Sequence, residues 1–167
     1  YHVVANIPYY ITSALTRHLL GASIRPGSIV LTVQREVAER ICSQAGELSL
    51  LALSVQVYGK PDILFTIPPS AFHPPPRVES AVVRIQVHQN PVIPEPQLDL
   101  FFDLIRAGFS QKRKTLRNSL SAGLHLPPAE VEHWLDSIGI DPRRRAETLT
   151  LPEWALLCEA SRASGGK

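Results

Sequence analysis

The chain has 167 residues, 44% hydrophobic and 19% charged, with a formal net charge of +2. That balance belongs to one globular domain or a domain and a half, not to a disordered chain. No apolar run approaches the roughly 20 residues of a membrane-crossing helix, and no signal peptide opens the sequence. The two cysteines and six histidines show neither disulfide nor metal-ligand spacing, so a reduced, cytoplasmic setting without metal catalysis is expected.

In chain order, His2-Val3-Val4-Ala5 is a β-branched run that ends in Asn6-Ile7-Pro8-Tyr9. It predicts a buried strand stopping in a rigid turn. Proline fixes its own φ and pushes Ile7 out of the helical region. The turn offers the Asn6 carboxamide oxygen, a backbone carbonyl and the flat ring of Tyr9 at the carboxyl end of a strand, where open α/β sheets place ligands. Two acceptors beside a ring suit a planar amine, whose N–H groups need acceptors and whose ring needs a face.

Tyr10–Leu20 reads as a helix, with Ile11, Leu15, Leu19 and Leu20 at helical spacing and Gly21 as its stop. Arg25-Pro26-Gly27 is a turn before the strand Ser28–Val33. Gln34-Arg35-Glu36 caps that strand and leads into a short helix to about Ser43. Leu48–Tyr58 is apolar nearly all round and predicts a buried helix. Pro61–Ile67 and Ser80–Val87 read as strands. This order is the second half of an α/β sheet with a hairpin at its edge.

Between the last two strands, Pro68 to Ser80 contains five prolines and Phe72, a stiff, extended loop that can be neither helix nor central strand. Asn90–Gln97 holds three more prolines and is the best linker. Beyond it the pattern is helical throughout: Leu98–Phe109, Thr115–Ser121, Pro128–Ile138 and Leu151–Ala163. The expected organisation is therefore a sheet domain over 1–89, a linker over 90–97 and a helical domain over 98–167. The chain opens on Tyr1 in what reads as mid-strand and contains no methionine, so we read it as a fragment whose amino-terminal portion lies outside it.

Charge is unevenly spread. Arg106, Lys112, Arg113, Lys114 and Arg117 fall within twelve residues that hold no acid, and Arg143-Arg144-Arg145 forms a second cluster. Cations gathered in this way neutralise phosphates, and Arg also forks onto phosphate or base edges.

Five motifs in order resemble the ribosomal RNA adenine N6-dimethyltransferases, the bacterial small-subunit type in particular, from Val3 to about Cys158. They are Asn6–Tyr9, Gln34–Glu36, Phe72–Val82, Phe109–Leu120 and Gly139–Pro142 with Arg145-Ala146-Glu147. The resemblance implies an α/β fold: the carboxyl-terminal half of a class I, Rossmann-like methyltransferase sheet, plus a small all-helical domain. It implies S-adenosylmethionine as cofactor, held here by Asn6, Ile7 and Pro8, with most of its site upstream. Asn6, Pro8, Tyr9 and Phe72 become the catalytic residues, the two rings gripping an adenine taken out of its stack. Arg77, Gln111, Lys112, Arg113, Lys114, Arg117, Arg143, Arg144 and Arg145 become the RNA contacts. The implied partner is small-subunit rRNA in an assembling 30S particle, at adjacent adenosines near its 3′ end. Eukaryotic and mitochondrial relatives are the nearer competitors within the family. Three other readings compete: a non-catalytic RNA-binding assembly module, an erythromycin-resistance-type large-subunit rRNA methylase, and a DNA adenine methylase with a similar turn. The Gln111–Asn118 segment argues against the second, and the helical domain against the third.

Overall fold

The computed structural model describes residues 1–164, which form two compact units. One comprises Tyr1–Ser43 and Ser54–Pro91; the other comprises Gln44–Leu53 and the chain from Val92 onward. The sequence places a linker over 90–97, but Ile93 is only 1% exposed. Glu95–Gln97 is a 3-10 turn whose cap is the first residue of the following helix. All of that stretch from Val92 onward therefore belongs to the helical unit. So does Gln44–Leu53, a detour that the sequence reading leaves in the sheet domain. Its Gly46 N–H donates to the Glu147 carbonyl at 2.9 Å, and its Leu48, Ala52 and Leu53 are buried.

The first unit holds strands β1 (His2–Asn6), β2 (Ser28–Gln34), β3 (Gly59–Ile67) and β4 (Ser80–Val87). They lie in the order β1-β2-β4-β3, with β1 parallel to β2 and β4 antiparallel to both of its neighbours. The antiparallel strand is thus interior, between β2 and an edge strand β3 that runs the same way as β1 and β2, and mixed sheets are common in such folds. Helices α1 (Thr12–Leu20) and α2 (Arg35–Ile41) fill the connections, and α3 (Leu50–Gln56) spans the division between units. Register builds the core. Ile29 opposes Ile85, Leu31 opposes Val83, and Val33 opposes Ala81, all at most 2% exposed. Residues two apart share a face, so these three pairs stack into one apolar layer, against which α2 packs.

The expectation of a buried first strand does not hold. Val4 is 78% exposed, and β1 alternates between exposed and half-buried. Burial of a parallel strand needs neighbours on both sides and cover on both faces; among the described residues β1 pairs with β2 alone. The first helix also starts later than its apolar spacing suggests. Tyr9–Ile11 forms a 3-10 turn closed by the Ile11 N–H to the Pro8 carbonyl at 3.1 Å, and the α-helix begins at Thr12.

The helical unit contains α4 (Leu98–Gly108), α5 (Leu116–Leu124), α6 (Pro128–Ser137) and α7 (Leu151–Ser164). Each helix packs on its neighbour in the chain, and α7 returns to α4. Phe101, Leu104, Leu116, Leu120, Leu135 and Trp154 are completely buried between them. Two glycines permit this closeness. A methyl group on Gly123 would lie 2.6 Å from Ala107 Cα, and one on Gly108 would lie 2.5 Å from the Trp154 ring. Helix α5 runs three residues past its expected end, stopping where His125 adopts a left-handed φ of 57°.

Candidate active site and nucleic-acid interface

In the sheet unit, register gathers three sequence motifs at one end. Asn6, the last residue of β1, aligns with Thr32 near the end of β2. Gln34, the last residue of β2, opposes Ser80, which also opposes Ile67 at the end of β3. The Asn6–Tyr9 turn, the Gln34-Arg35-Glu36 corner and the loop from Pro68 to Glu79 therefore all leave the sheet at the carboxyl end of its parallel strands. Open α/β sheets bind ligands at that end.

The turn itself divides its labour. Ile7 is buried and anchors it in the core, while Asn6 and Pro8 are exposed. The Asn6 carboxamide has no hydrogen-bond partner among the described residues, so its oxygen can accept and its nitrogen can donate outward. The Pro8 carbonyl takes the Ile11 N–H and keeps one lone pair. The Tyr9 ring is half-buried, and its hydroxyl lies 2.6 Å from Ser80 Oγ.

Phe72 is half-buried in the proline loop, its N–H bonded to the Pro69 carbonyl at 3.1 Å and its backbone extended. No ring contact joins Phe72 to Tyr9 among the described residues. The loop's exit is tied down by Arg35. Its N–H donates to the Glu79 carbonyl at 3.0 Å, and its guanidinium bonds Glu79 at 2.6 Å and Glu39 at 2.8 Å. Those carboxylates, Glu79 first, raise the already high Arg35 pKa further. Gln34, Arg35, Glu36, Glu39, Val78 and Glu79 line one open cleft. With three carboxylates against one guanidinium, this cleft repels phosphate.

In the helical unit the two basic clusters meet. The Leu116 N–H donates to the Arg144 carbonyl at 2.7 Å, and the Arg117 N–H to the Pro142 carbonyl at 3.2 Å. The first amides of α5 are thereby consumed by the Asp141–Arg145 segment. Phe109 stacks on Trp154 at 6.0 Å, which fixes the corner where the basic segment begins. A turn closed by the Lys114 N–H to the Gln111 carbonyl at 3.0 Å then directs Gln111, Lys112, Arg113 and Lys114 outward, all four exposed.

The cations are not equivalent. Lys112, Arg113, Lys114 and, in the other unit, the exposed Arg77 have no acidic partner among the described residues. The five-cation segment does not lack counter-charges, as its sequence suggests, because Asp103, one turn earlier on α4, and Glu132 on α6 lie beside two of its arginines. Arg106 pairs with Asp103 at 2.9 Å and Arg117 with Glu132 at 3.1 Å. Arg143 forks onto Asp141 while 87% exposed, and its guanidinium holds the Asp141 carboxyl below the usual carboxylate range. Arg145 lies 3.9 Å from Glu147. Arg144 departs furthest from the expected role. Its Nε meets Thr148 Oγ1, its Nη2 meets the Thr148 carbonyl, and both Nη atoms fork onto Glu153. Four of its five N–H groups are spent inside the fold, so its guanidinium is a brace.

Sequence reasoning names every residue of the turn and of the basic corner. It gives no role to Ser80, Glu79 or Trp154. Ser80 lies within a quoted motif, but no local signal ties it to a tyrosine 71 positions earlier.

Solved structures define the class of fold. The chain is similar to a dimethyladenosine transferase from Plasmodium falciparum, with a TM-score of 0.80 and 24% identity over 98% of this chain and 67% of that one. It is also similar to the 23S rRNA methyltransferase ErmE, with a TM-score of 0.73 and 23% identity over 96% of this chain and 64% of that one. The fold is that of a Rossmann-like methyltransferase. At the level of sequence, the ribosomal RNA adenine dimethylase family matches residues 1–161, and the chain belongs to it. Among its relatives, the ribosomal RNA small subunit methyltransferase A of Dehalococcoides mccartyi (strain CBDB1) is 47% identical over 158 residues, 95% of this chain and 54% of that protein. The protein of the same name from Desulfitobacterium hafniense (strain DSM 10664 / DCB-2) is 42% identical, over 95% of this chain and 57% of that protein. The chain thus spans little more than half the length of these relatives.

Proposed function

We propose that the protein containing this chain dimethylates the N6 amines of two adjacent adenosines near the 3′ end of small-subunit rRNA. It does so in the cytoplasm, on an assembling 30S particle, with S-adenosylmethionine as methyl donor. The observation that carries this reading is the exposed, unpartnered Asn6 carboxamide at the carboxyl end of β1, beside Pro8 and Tyr9. Family membership and the names of the relatives support it.

The residues present fit their share of a cofactor site. An exposed carboxamide with free donor and acceptor capacity, on a turn built by Ile7 and Pro8, suits the polar end of an amino-acid-bearing sulfonium. When bound, S-adenosylmethionine supplies a methyl group carried on a cationic sulfur. This chain's own task is to make a poor nucleophile attack. The exocyclic nitrogen of adenine delocalises its lone pair into the ring. Asn6 Oδ1 and the remaining lone pair of the Pro8 carbonyl each accept one N–H. Held in this way, the amine leaves the ring plane, its lone pair localises, and both acceptors favour the positive charge that develops on nitrogen. Tyr9 and Phe72 give the extruded base two faces. After one transfer the methylated ammonium sheds a proton to water at the exposed turn and a single N–H remains, so the second transfer relies on one acceptor. Lys112, Arg113 and Lys114 bind phosphates and contribute affinity without touching the chemistry.

The test uses the intact protein and undermethylated small subunits. Asn6→Ala should slow methyl transfer by about 100-fold or more, the scale of losing one preorganised polar contact, with subunit affinity unchanged. Lys112→Ala with Arg113→Ala should do the opposite, weakening binding and reducing its salt slope by about one unit per lost phosphate contact. Asn6→Ala with wild-type turnover would reduce Asn6 to a turn residue. Binding without any methyl transfer by the wild type would support the assembly-module reading instead.

A further inference from the structure

Ser80 opens β4 directly after the proline loop, and it is completely buried. Its neighbours across the sheet, Gln34 and Ile67, supply backbone pairing but leave its hydroxyl to find a side-chain partner. That partner is the Tyr9 hydroxyl, 2.6 Å away and 71 residues distant in sequence. The distance lies in the short half of the O–H···O range. Chemistry at Tyr9 depends on where its ring sits. The hydroxyl lies on the χ2 axis, so its bond leaves the ring free to spin but opposes the χ1 swing that would carry the whole ring away. The Tyr9 backbone sits in a single 3-10 turn, and the ring is only half-buried, so packing alone does not hold it.

We infer that Ser80 is a positioning residue for methyl transfer: its hydroxyl holds the far end of the Tyr9 ring in place and ties that platform to the loop carrying Phe72. The inference rests on the function proposed above. Its second consequence follows from chain connectivity. Ser80 ends the loop, and Arg35 grips the preceding Glu79 through both backbone and side chain. The Arg35–Glu79 pair is about half exposed on both partners, 51% and 46%, and pairs of that kind contribute little. That pair joins the loop to the Gln34 corner, whereas the buried Ser80 hydroxyl joins it to the ring-bearing Tyr9 turn.

The two halves of the bond fail differently when cut. Ser80→Ala removes the partner of the hydroxyl of Tyr9, a residue only half-buried and so open to water, and folding should be little affected. Tyr9→Phe strands the buried Ser80 hydroxyl without a partner and should lower the melting temperature more. Catalysis should respond alike to both, because either change frees the ring.

The experiment compares wild type, Ser80→Ala, Tyr9→Phe and the double variant in the intact protein. It measures single-turnover methylation of undermethylated small subunits, subunit affinity and melting temperature. Each single variant should slow methylation about tenfold, the rate equivalent of one lost hydrogen bond. Affinity should hold, and the double variant should be no slower than the slower single one. The melting temperature of Ser80→Ala should stay near that of the wild type. A wild-type rate for Ser80→Ala, additive losses in the double variant, or a rate loss that tracks melting temperature would each overturn this inference alone. A wild-type protein that methylates no adenine would overturn the proposed function and this inference with it.

Discussion

Phe72 and Asn6 pose the same question at residue scale: does a side chain at a sheet end serve packing or a ligand? Phe72 is half-buried within an exposed loop, an awkward place for a core residue and a natural one for a ring that a base must reach. Phe72→Ala should cost roughly 1–3 kcal/mol of base stacking, read as lost single-turnover rate at constant subunit affinity. Phe72→Trp should recover much of it, since indole also supplies a π-face, whereas Phe72→Leu should not. A packing role gives the reverse pattern, in which leucine restores the melting temperature and with it the activity. Both residues could be picked from the sequence, because an Asn-aliphatic-Pro-aromatic turn and a proline-locked Phe are local patterns. Ser80 could not, because the partner of a serine hydroxyl is decided by tertiary placement.

At the scale of elements, the start of α7 shows how the helical unit is held. Thr150-Leu151-Pro152-Glu153 is a capping box. Glu153 N–H donates to Thr150 Oγ1 at 3.3 Å, and Thr150 N–H returns to Glu153 Oε2 at 2.7 Å. Arg144 grips the same carboxylate, and chiefly for that reason the Glu153 carboxyl titrates below its ordinary 4.5. A carboxylate depressed on folding adds stability that is complete above the unfolded value and is lost as pH falls through the folded one. Acidification from about pH 5 downward should therefore weaken this unit. Glu153→Gln keeps the cap geometry but removes the charge, and it should flatten that dependence below about pH 5. Both tryptophans, Trp134 and Trp154, lie in the helical unit, so their fluorescence during urea unfolding at stepped pH checks this directly. The same arginine explains a gap in the sequence reading. A triplet of arginines looks uniform until the fold brings Asp141, Thr148 and Glu153 to two of them.

At the scale of the molecule, the helical unit is discontinuous in sequence, because Gln44–Leu53 belongs to it. Leu48, Ala52 and Leu53 are each at most 5% exposed. Residues 92–167 expressed alone should therefore show a lower melting temperature than the same unit in the whole chain, by tryptophan fluorescence, and should bind apolar dye. Equal melting temperatures would mean that the detour adds nothing to the core. The sequence shows no sign of this excursion, since its apolar residues fit a helix of either unit equally well. Periodicity reports that a face is buried, never against what.

What the sequence determined by itself was the kind and order of the elements, the rigid turn after β1, the proline loop and the exposed basic segment. Each follows from interactions within a few residues: alternation, helical spacing, the fixed φ of proline, and repulsion among like charges. Tertiary structure alone decided which of these meet. Sheet register brought three motifs to one end of the strands. Val4 is exposed despite its apolar run, on a strand that pairs with β2 alone among the described residues. Acids from other segments paired with Arg117 and Arg144, while Lys112, Arg113 and Lys114 have no acidic partner among the described residues. Hydrogen bonds and ion pairs act over about 3 Å, and only the folded chain makes residues dozens of positions apart neighbours at that distance.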